Sequence, residues 1–213
     1  GRPLITIESI ARSLSGEPGF VALEAPRFRS LIGDGVLADW PAFARSWDHL
    51  AVDEYMADGG RFRRRRYGRF RAAREGVTRE PHGPHFQSVD YNPLNGGIDR
   101  WFEPVTDAIA AHPITTRLLE LCAEVFTAAS GADSATAAWT IEMHQFRIEP
   151  APRQPGKPTP EGMHRDGVDW VFVGLIERTG VAGGVTGIGD ATGRSLGSFT
   201  LSEPLDAVFL DDH

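Results

Sequence analysis

His164 and Asp166, in the run Met163-His164-Arg165-Asp166-Gly167, are the pair in this chain whose types and spacing point most directly to chemistry. On an extended strand, alternate side chains point to the same side. An imidazole and a carboxylate two residues apart would therefore face one point in space and could share a single metal ion. One more histidine from a distant strand would complete a 2-His-1-carboxylate set. Such a set leaves half of an octahedron open, which suits non-haem Fe(II) that must hold a cosubstrate and dioxygen together. Gly167 removes side-chain bulk beside those open positions, and the proline-rich stretch 150–162 could form the rim of the mouth.

A His-x-Asp pair alone arises by chance in many proteins, so its surroundings decide its weight. It opens the apolar run Trp170–Ile176, and Gly183-Gly184-Val185-Thr186 follows. A second Asp/His group, Asp211-Asp212-His213, recurs about fifty residues on, near the spacing that returning strands of a double-stranded β-helix require. Zinc accepts the same ligand types, which keeps a zinc hydrolase or a cupin-like metal protein open. The His-Glu-x-x-His pattern of the commonest zinc proteases is absent from the sequence.

Other residues qualify as binding groups. Gln145 and Arg147 share one side of an expected strand. If that side is interior, Arg147 needs an anion: a cosubstrate or substrate carboxylate, or an acidic neighbour in a salt bridge, with the two alternatives even. His144 would point the other way, as a structural residue. The run Arg63-Arg64-Arg65-Arg66 invites a nucleic-acid reading. On a strand, however, Arg63, Arg65, Tyr67 and Arg69 share one face and Arg64 and Arg66 the other, and the net charge of −7 argues against nucleic acid as the main partner. His82 and His85, in a Pro/Gly-rich loop, are expected at the surface. Asn92 and Gln87 could orient a substrate or cap the loop.

These residues need a scaffold, and 213 residues suit a single domain with a substantial core. Cys122 is the only cysteine, so no intrachain disulfide can form, which suits a reducing cytoplasm. No run is long and apolar enough for a membrane span. Helices are expected over 3–15, 36–56 and 103–128, the last broken by Pro113; Trp40, Phe43, Trp47 and Leu50 read as core. Strands are expected at 20–23, 62–70, 139–148, 164–176, 183–188, 198–201 and 207–210, with a long loop over 76–100. Helices first and short strands later predict an α+β chain whose second half is a β-sandwich or barrel. The chain begins at Gly1 and stops after an apolar strand-like run, so further residues are expected at both ends.

Taken together, Arg63-x-Arg65-x-Tyr67-x-Arg69, Phe86-Gln87-Ser88, Tyr91-Asn92, Gly96-Gly97-x-x-Arg100, His144-Gln145-x-Arg147, His164-x-Asp166 and Gly183-Gly184 resemble a known family in order and spacing. It is the Fe(II)/2-oxoglutarate-dependent dioxygenases of the bacterial amino-acid hydroxylase type, the group of L-isoleucine dioxygenase and the biofilm-stress-and-motility-protein-A-like proteins. The resemblance implies a single oxygenase domain on a double-stranded β-helix (a cupin-like jelly roll) with flanking N-terminal helices. Residues 1–130 would form the helical, mixed part and 131–213 the metal-binding part. It implies Fe(II) on His164, Asp166 and a distal His, which is His213 or a residue shortly beyond it. The basic residue that pairs with the distal carboxylate of 2-oxoglutarate follows that His in the family and has no match here. The implied reaction is oxidative decarboxylation of 2-oxoglutarate to succinate, coupled to oxidation of a small substrate by dioxygen. A free L-amino acid is the implied substrate class, with Arg65 or Arg69 on its carboxylate and Gln145, Arg147, Tyr67 and Asn92 as further binding candidates. A non-catalytic stress- or biofilm-related protein on the same scaffold is the alternative outside catalysis.

Overall fold

A computed structural model describes residues 4–55, 63–87, 96–149, 168–179, 186–189 and 194–213. Helix α1 (Ile7–Ser15) starts at Thr6, whose Oγ1 accepts from the Ser9 amide while Ser9 Oγ accepts from the Thr6 amide. This reciprocal cap satisfies two amides that the helix leaves unpaired. Strand β1 (Phe20–Leu23) leads into α2 (Ala25–Ile32), α3 (Asp34–Leu37), α4 (Trp40–Arg45) and a 3-10 turn at Ser46–His49. The helical zone expected over 36–56 thus begins earlier and ends sooner. Gly33, at φ +94°, lets the chain turn between α2 and α3, and the backbone becomes extended at Leu50.

Strands β2 (Ala51–Val52), β3 (Arg63–Ala73), β4 (Gly76–Arg79), β5 (His85–Phe86) and β6 (Asp99–Arg100) precede α5 (Asp107–Ala110) and α6 (Pro113–Ser130). The stretch expected as one long loop therefore carries three short strands. Pro113 starts α6 rather than breaking a longer helix, because the first helical position needs no amide donor. His112 caps that start: its Nδ1 accepts from the Ile114 amide. After α6 come β7 (Ala138–Ile148), β8 (Trp170–Gly174), β9 (Thr186–Gly189), β10 (Ser195–Phe199) and β11 (Ala207–Asp211).

The architecture is mixed helix and antiparallel sheet. β3 pairs with β7 along its whole length, from Arg63↔Ile148 to Ala73↔Ala138, and with β2 and β4 on its other edge. A second sheet runs in the order β1-β11-β8, and β9-β10 and β5-β6 form separate pairs. Alternation along β3 and β7 sends Phe70, Ala72, Ile141 and Met143 into the core formed with Ile10 and Leu14 of α1 and Leu121, Val125 and Phe126 of α6. Gly68 lies on that side because a Cβ there would come within 2.9 Å of Val105 Cγ2. The second sheet enters the same core through Phe209 and Phe172, whose rings are 5.0 Å apart. Among the described residues no helix is long and apolar enough to cross a membrane.

Asp206 ties the second sheet to the helices. Glu24, at the start of α2, makes no side-chain cap, and Asp206 Oδ1 accepts from the Ala25 amide at 2.8 Å instead. Its Oδ2 accepts from the amides of Ser202 and Glu203, each at 3.0 Å. Leu205 takes φ +74°, rare for a bulky residue, and is held there by its amide on the Leu175 carbonyl. Burial works to raise the Asp206 carboxyl, but the amides of Glu203, Ser202 and Ala25 outweigh it and hold it below its usual value. Asp206→Ala is expected to lower the unfolding free energy by about 1–3 kcal/mol at neutral pH, measured by chemical denaturation. A depressed carboxyl stabilises the fold above its unfolded titration range and loses that contribution as pH falls through the folded one. The difference between wild type and variant should therefore shrink in acid.

Candidate active site

The face of the β3–β7 pair turned away from α6 carries the charged and aromatic side chains. Register sets Tyr67 opposite His144, Arg65 opposite Phe146 and Arg69 opposite Glu142. Phe102, His85 from β5 and Arg100 from β6 adjoin this face. The His144 ring lies 5.0 Å from Tyr67, 4.8 Å from His85 and, stacked, 5.3 Å from Phe146. The Arg65 guanidinium sits 4.1 Å from the Phe102 ring centre and 4.3 Å from that of Phe146, a cation held by two π faces. Asp53, just past β2, anchors it: Oδ2 is 2.7 Å from Arg63 Nε and 3.1 Å from Arg65 Nη2, and Oδ1 accepts from the Tyr55 amide. Arg100 Nη2 donates to Gln87 Oε1 at 3.0 Å.

His85, Glu142 and His144 bring ligand-type atoms within 4.8 Å of one another. The Tyr67 hydroxyl donates to Glu142 Oε1 at 2.8 Å. His85 Nδ1 lies 3.1 Å from Glu142 Oε2, off the line of a hydrogen bond, and is buried without one. Burial works to raise the Glu142 carboxyl, yet His85, the Tyr67 hydroxyl and Arg69 hold it below its usual value. Burial pushes His144 well below the usual imidazole range, reinforced by the charges of Arg65, His85, Arg100 and Arg63. These are the donor types of an Fe(II) site, but the neighbours oppose one. Arg65 Nη1 is 3.4 Å from His144 Nδ1, and a guanidinium can only donate, so that nitrogen is the acceptor and the imidazole proton sits on Nε2. A dication here would also face the guanidinium groups of Arg63, Arg65, Arg69 and Arg100 against the carboxylates of Glu142 and Asp53. Burial and these charges favour a neutral His144.

The paired strands β8 and β11 offer a different electrostatic environment. β8 and β11 pair with Trp170 opposite Asp211, and the Asp212 amide donates to the Asp169 carbonyl at 3.1 Å. His213 follows β11, exposed, with Nδ1 2.6 Å from Asp211 Oδ1, Nε2 3.2 Å from Asp169 Oδ1 and its ring edge-on to Trp170. The hydrogen bond that His213 donates to Asp211 leads in raising its pKa, against the opposing effect of burial.

A family model described as 2OG-Fe dioxygenase matches residues 44–213. The chain belongs to the 2OG-Fe dioxygenase family. Membership implies Fe(II) as cofactor and 2-oxoglutarate as cosubstrate, the setting of a non-haem iron oxygenase. The L-isoleucine-4-hydroxylase of Bacillus thuringiensis is 26% identical over 125 residues, which are 58% of this chain and 52% of that protein. The chain thus spans about half the length of this curated relative. The crystal structure of a BsmA homologue from Methylobium petroleophilum PM1 superposes with a TM-score of 0.84 at 34% identity, covering 99% of this chain and 82% of that one. IDO from Bacillus thuringiensis shares the fold, with a TM-score of 0.78 at 18% identity over 100% of this chain and 86% of its own.

In this 2OG-Fe dioxygenase, His164, Asp166 and Asn92 lie outside the described residues. Arg65 and Tyr67 meet in the chamber, and half-buried Arg69 shares their face, beside Gly83. Gln145 and Arg147 face the other way. Buried Gln145 donates through Nε2 to Ser46 Oγ, and Arg147 pairs with Asp48 and Glu149, so the acidic-neighbour alternative is the one seen for this arginine. One expectation needs correcting. His85 is buried rather than at the surface, because β5 pairs with β6 and lays it against Tyr67. His144 points away from Gln145 and Arg147, as expected, and its ring packs among those of Tyr67, His85 and Phe146. Asp53, Glu142 and Phe102 were missed. Glu142-x-His144-x-Phe146 carries an alternation that could have flagged Glu142, but the placement of Asp53 and Phe102 leaves no periodic signal.

Asp53→Ala should lower the unfolding free energy by about 3–5 kcal/mol in chemical denaturation, because it strands buried guanidinium charge. A change below about 1 kcal/mol, within the range of an exposed pair, would show that the pair does not hold this face together.

Proposed function

We propose that this chain is an Fe(II)- and 2-oxoglutarate-dependent hydroxylase of a free L-amino acid, built on a double-stranded β-helix. The observation that carries the substrate class is the guanidinium-bearing face of β3, where Asp53, Phe102 and Phe146 fix Arg65 and half-buried Arg69 shares its side. The fixed charge of Arg65, already met by Asp53 and His144, draws a carboxylate toward this face, and Arg69 supplies the donors for it. The name of the curated relative, an L-isoleucine-4-hydroxylase, supports the same class.

In this reading His164, Asp166 and a distal His, at or shortly after His213, hold the iron. Imidazole and carboxylate suit Fe(II), and the antiparallel pairing of β8 and β11 supports the approach of the two ligand segments. The iron, when bound, supplies dioxygen activation coupled to decarboxylation of 2-oxoglutarate. The chain's own residues do the rest. Arg69 receives carboxylate on the face that Arg65 charges, the Tyr67 hydroxyl orients Glu142, Asn92 helps to place the substrate, and the buried ring of Phe102 excludes water. Gln145 and Arg147 act indirectly, by fastening the Ser46–His49 turn to β7. A cytoplasmic location is part of the proposal.

Succinate release by the full-length protein with Fe(II), 2-oxoglutarate and a panel of free L-amino acids tests this. Release should depend on one or a few amino acids and fall to background in His164→Ala and Asp166→Ala. Protein that binds iron and 2-oxoglutarate yet responds to no amino acid would remove the substrate class. Undiminished turnover in both variants would remove the proposed ligands.

A further inference from the structure

Farther along β3 than the Asp53 cluster, the register sets Arg69 directly opposite Glu142, on the face turned away from α6. Opposite charges facing each other across two strands ordinarily pair. These two do not. The Tyr67 hydroxyl holds Glu142 Oε1 at 2.8 Å, and the half-buried Arg69 guanidinium lies against Gly83, where a Cβ would come within 2.9 Å of Nη1. Among the described residues, the Arg69 side chain makes no hydrogen bond or ion pair. The second oxygen of Glu142 is also open. Oε2 has His85 Nδ1 3.1 Å away, off the line of a hydrogen bond, and the Glu142 side chain keeps 32% exposure.

The other charges of this face have partners. Asp53 meets Arg63 and Arg65, and Arg100 donates to Gln87. Arg69 and Glu142 are thus the cation and the anion left to a ligand. A bare cation would be repelled by the surrounding guanidinium groups and a bare anion by Glu142, whereas a small molecule carrying both signs satisfies each. The position also fits the reaction. Trp139, which precedes Glu142 on β7, lies 6.3 Å from Phe126; Phe126 stacks on Trp170 at 5.6 Å, and Trp170 stands edge-on to His213 at 5.4 Å. These ring contacts join the Glu142 end of β7, rather than the Asp53 end, to β8 and the end of β11.

We propose that Glu142 is the residue that selects for a free α-amino group: its Oε2 accepts from the substrate ammonium while Arg69, across the strand pair, donates to the carboxylate of the same molecule. The inference rests on the amino-acid hydroxylase reading and adds to it the group that recognises the amine. Tyr67 is a positioning residue, because its hydroxyl keeps Glu142 turned from Arg69 and so prevents the two charges from closing on each other. Gly83 leaves the room in which the guanidinium lies. A deaminated or N-acylated acid could still meet Arg69 but would leave the Glu142 carboxylate without its donor and beside a second anion, which costs affinity.

The test is calorimetric titration of L-isoleucine, L-leucine and L-valine, and of the deaminated acid of each, into full-length protein loaded with Fe(II) and saturating 2-oxoglutarate, without dioxygen. At least one amino acid should bind about tenfold or more tighter than its deaminated acid, the scale of one charge-assisted hydrogen bond. Glu142→Gln should abolish that preference by weakening the amino acid alone, a change in selectivity that a merely structural role would not produce. Arg69→Gln should weaken both ligands alike. Unfolding midpoints separate lost binding from lost fold, and Glu142→Asp, which should narrow the preference, takes the place of Glu142→Gln if that variant does not fold. A preference that survives the Glu142 substitution, or an equal loss for both ligands, would overturn the assignment of Glu142, while amino-acid-dependent succinate release by the wild type left the hydroxylase reading standing. Binding that ignores Arg69→Gln would overturn the pairing of the two residues on one molecule. Neither binding nor turnover with any amino acid would remove both readings.

Discussion

The Asp53 carboxylate has no exposed surface and lies against two guanidinium groups that are themselves nearly buried. None of the three could bear such burial without the others, because a lone charge in a protein interior costs several kcal/mol. This ion cluster joins the end of β2 to the first turns of β3 and leaves Arg65 in one orientation. The rings of Phe102 and Phe146 then pack on a cation that cannot move aside. Much of what is distinctive on this face follows: the tautomer of His144 and the sign of the field in the chamber.

The parity of β3 and β7 keeps that charged face apart from the core. On one side Phe70, Ala72, Ile141 and Met143 meet α6; on the other Arg63, Arg65 and Tyr67 meet Glu142, His144 and Phe146. A one-residue slip of either strand would send arginines into the helices and phenylalanines into the chamber, so the register is strongly determined. The bonds between β3 and the segment after β6 strengthen this, since Tyr67 exchanges backbone hydrogen bonds with Glu103 and Val105. The same exchange brings Phe102 over Arg65.

Electrostatics separates two places that would otherwise compete as metal centres. His85, Glu142 and His144 have the donor types of a 2-His-1-carboxylate set, yet arginines surround them, and burial keeps His144 neutral. The segment around β8 and β11 differs in sign. Asp169, Asp211 and Asp212 gather there beside His213, a setting that raises an imidazole and attracts cations.

The family was legible in the residues because its marks are local: His164-x-Asp166, the alternating arginines with Tyr67, and the Gly-rich and Asn-bearing loop motifs keep their spacing in any alignment of one chain with itself. Strand parity also correctly predicted that Arg65, Tyr67 and Arg69 share a face, because a period of two is a property of the backbone. The sequence could not say which face of β7 was the chemical one. Gln145-x-Arg147 and Glu142-x-His144 are equally good alternations, and only the bonds to the Ser46–His49 turn show that the first faces away from the chamber. Nor could it reveal that β5 and β6 pair inside an apparent loop and bury His85, or that Asp206 caps a helix 181 residues away. Local chemistry and periodicity are written in neighbouring residues. Which charge neutralises which, and what a side chain faces, depends on partners that only the folded chain brings together.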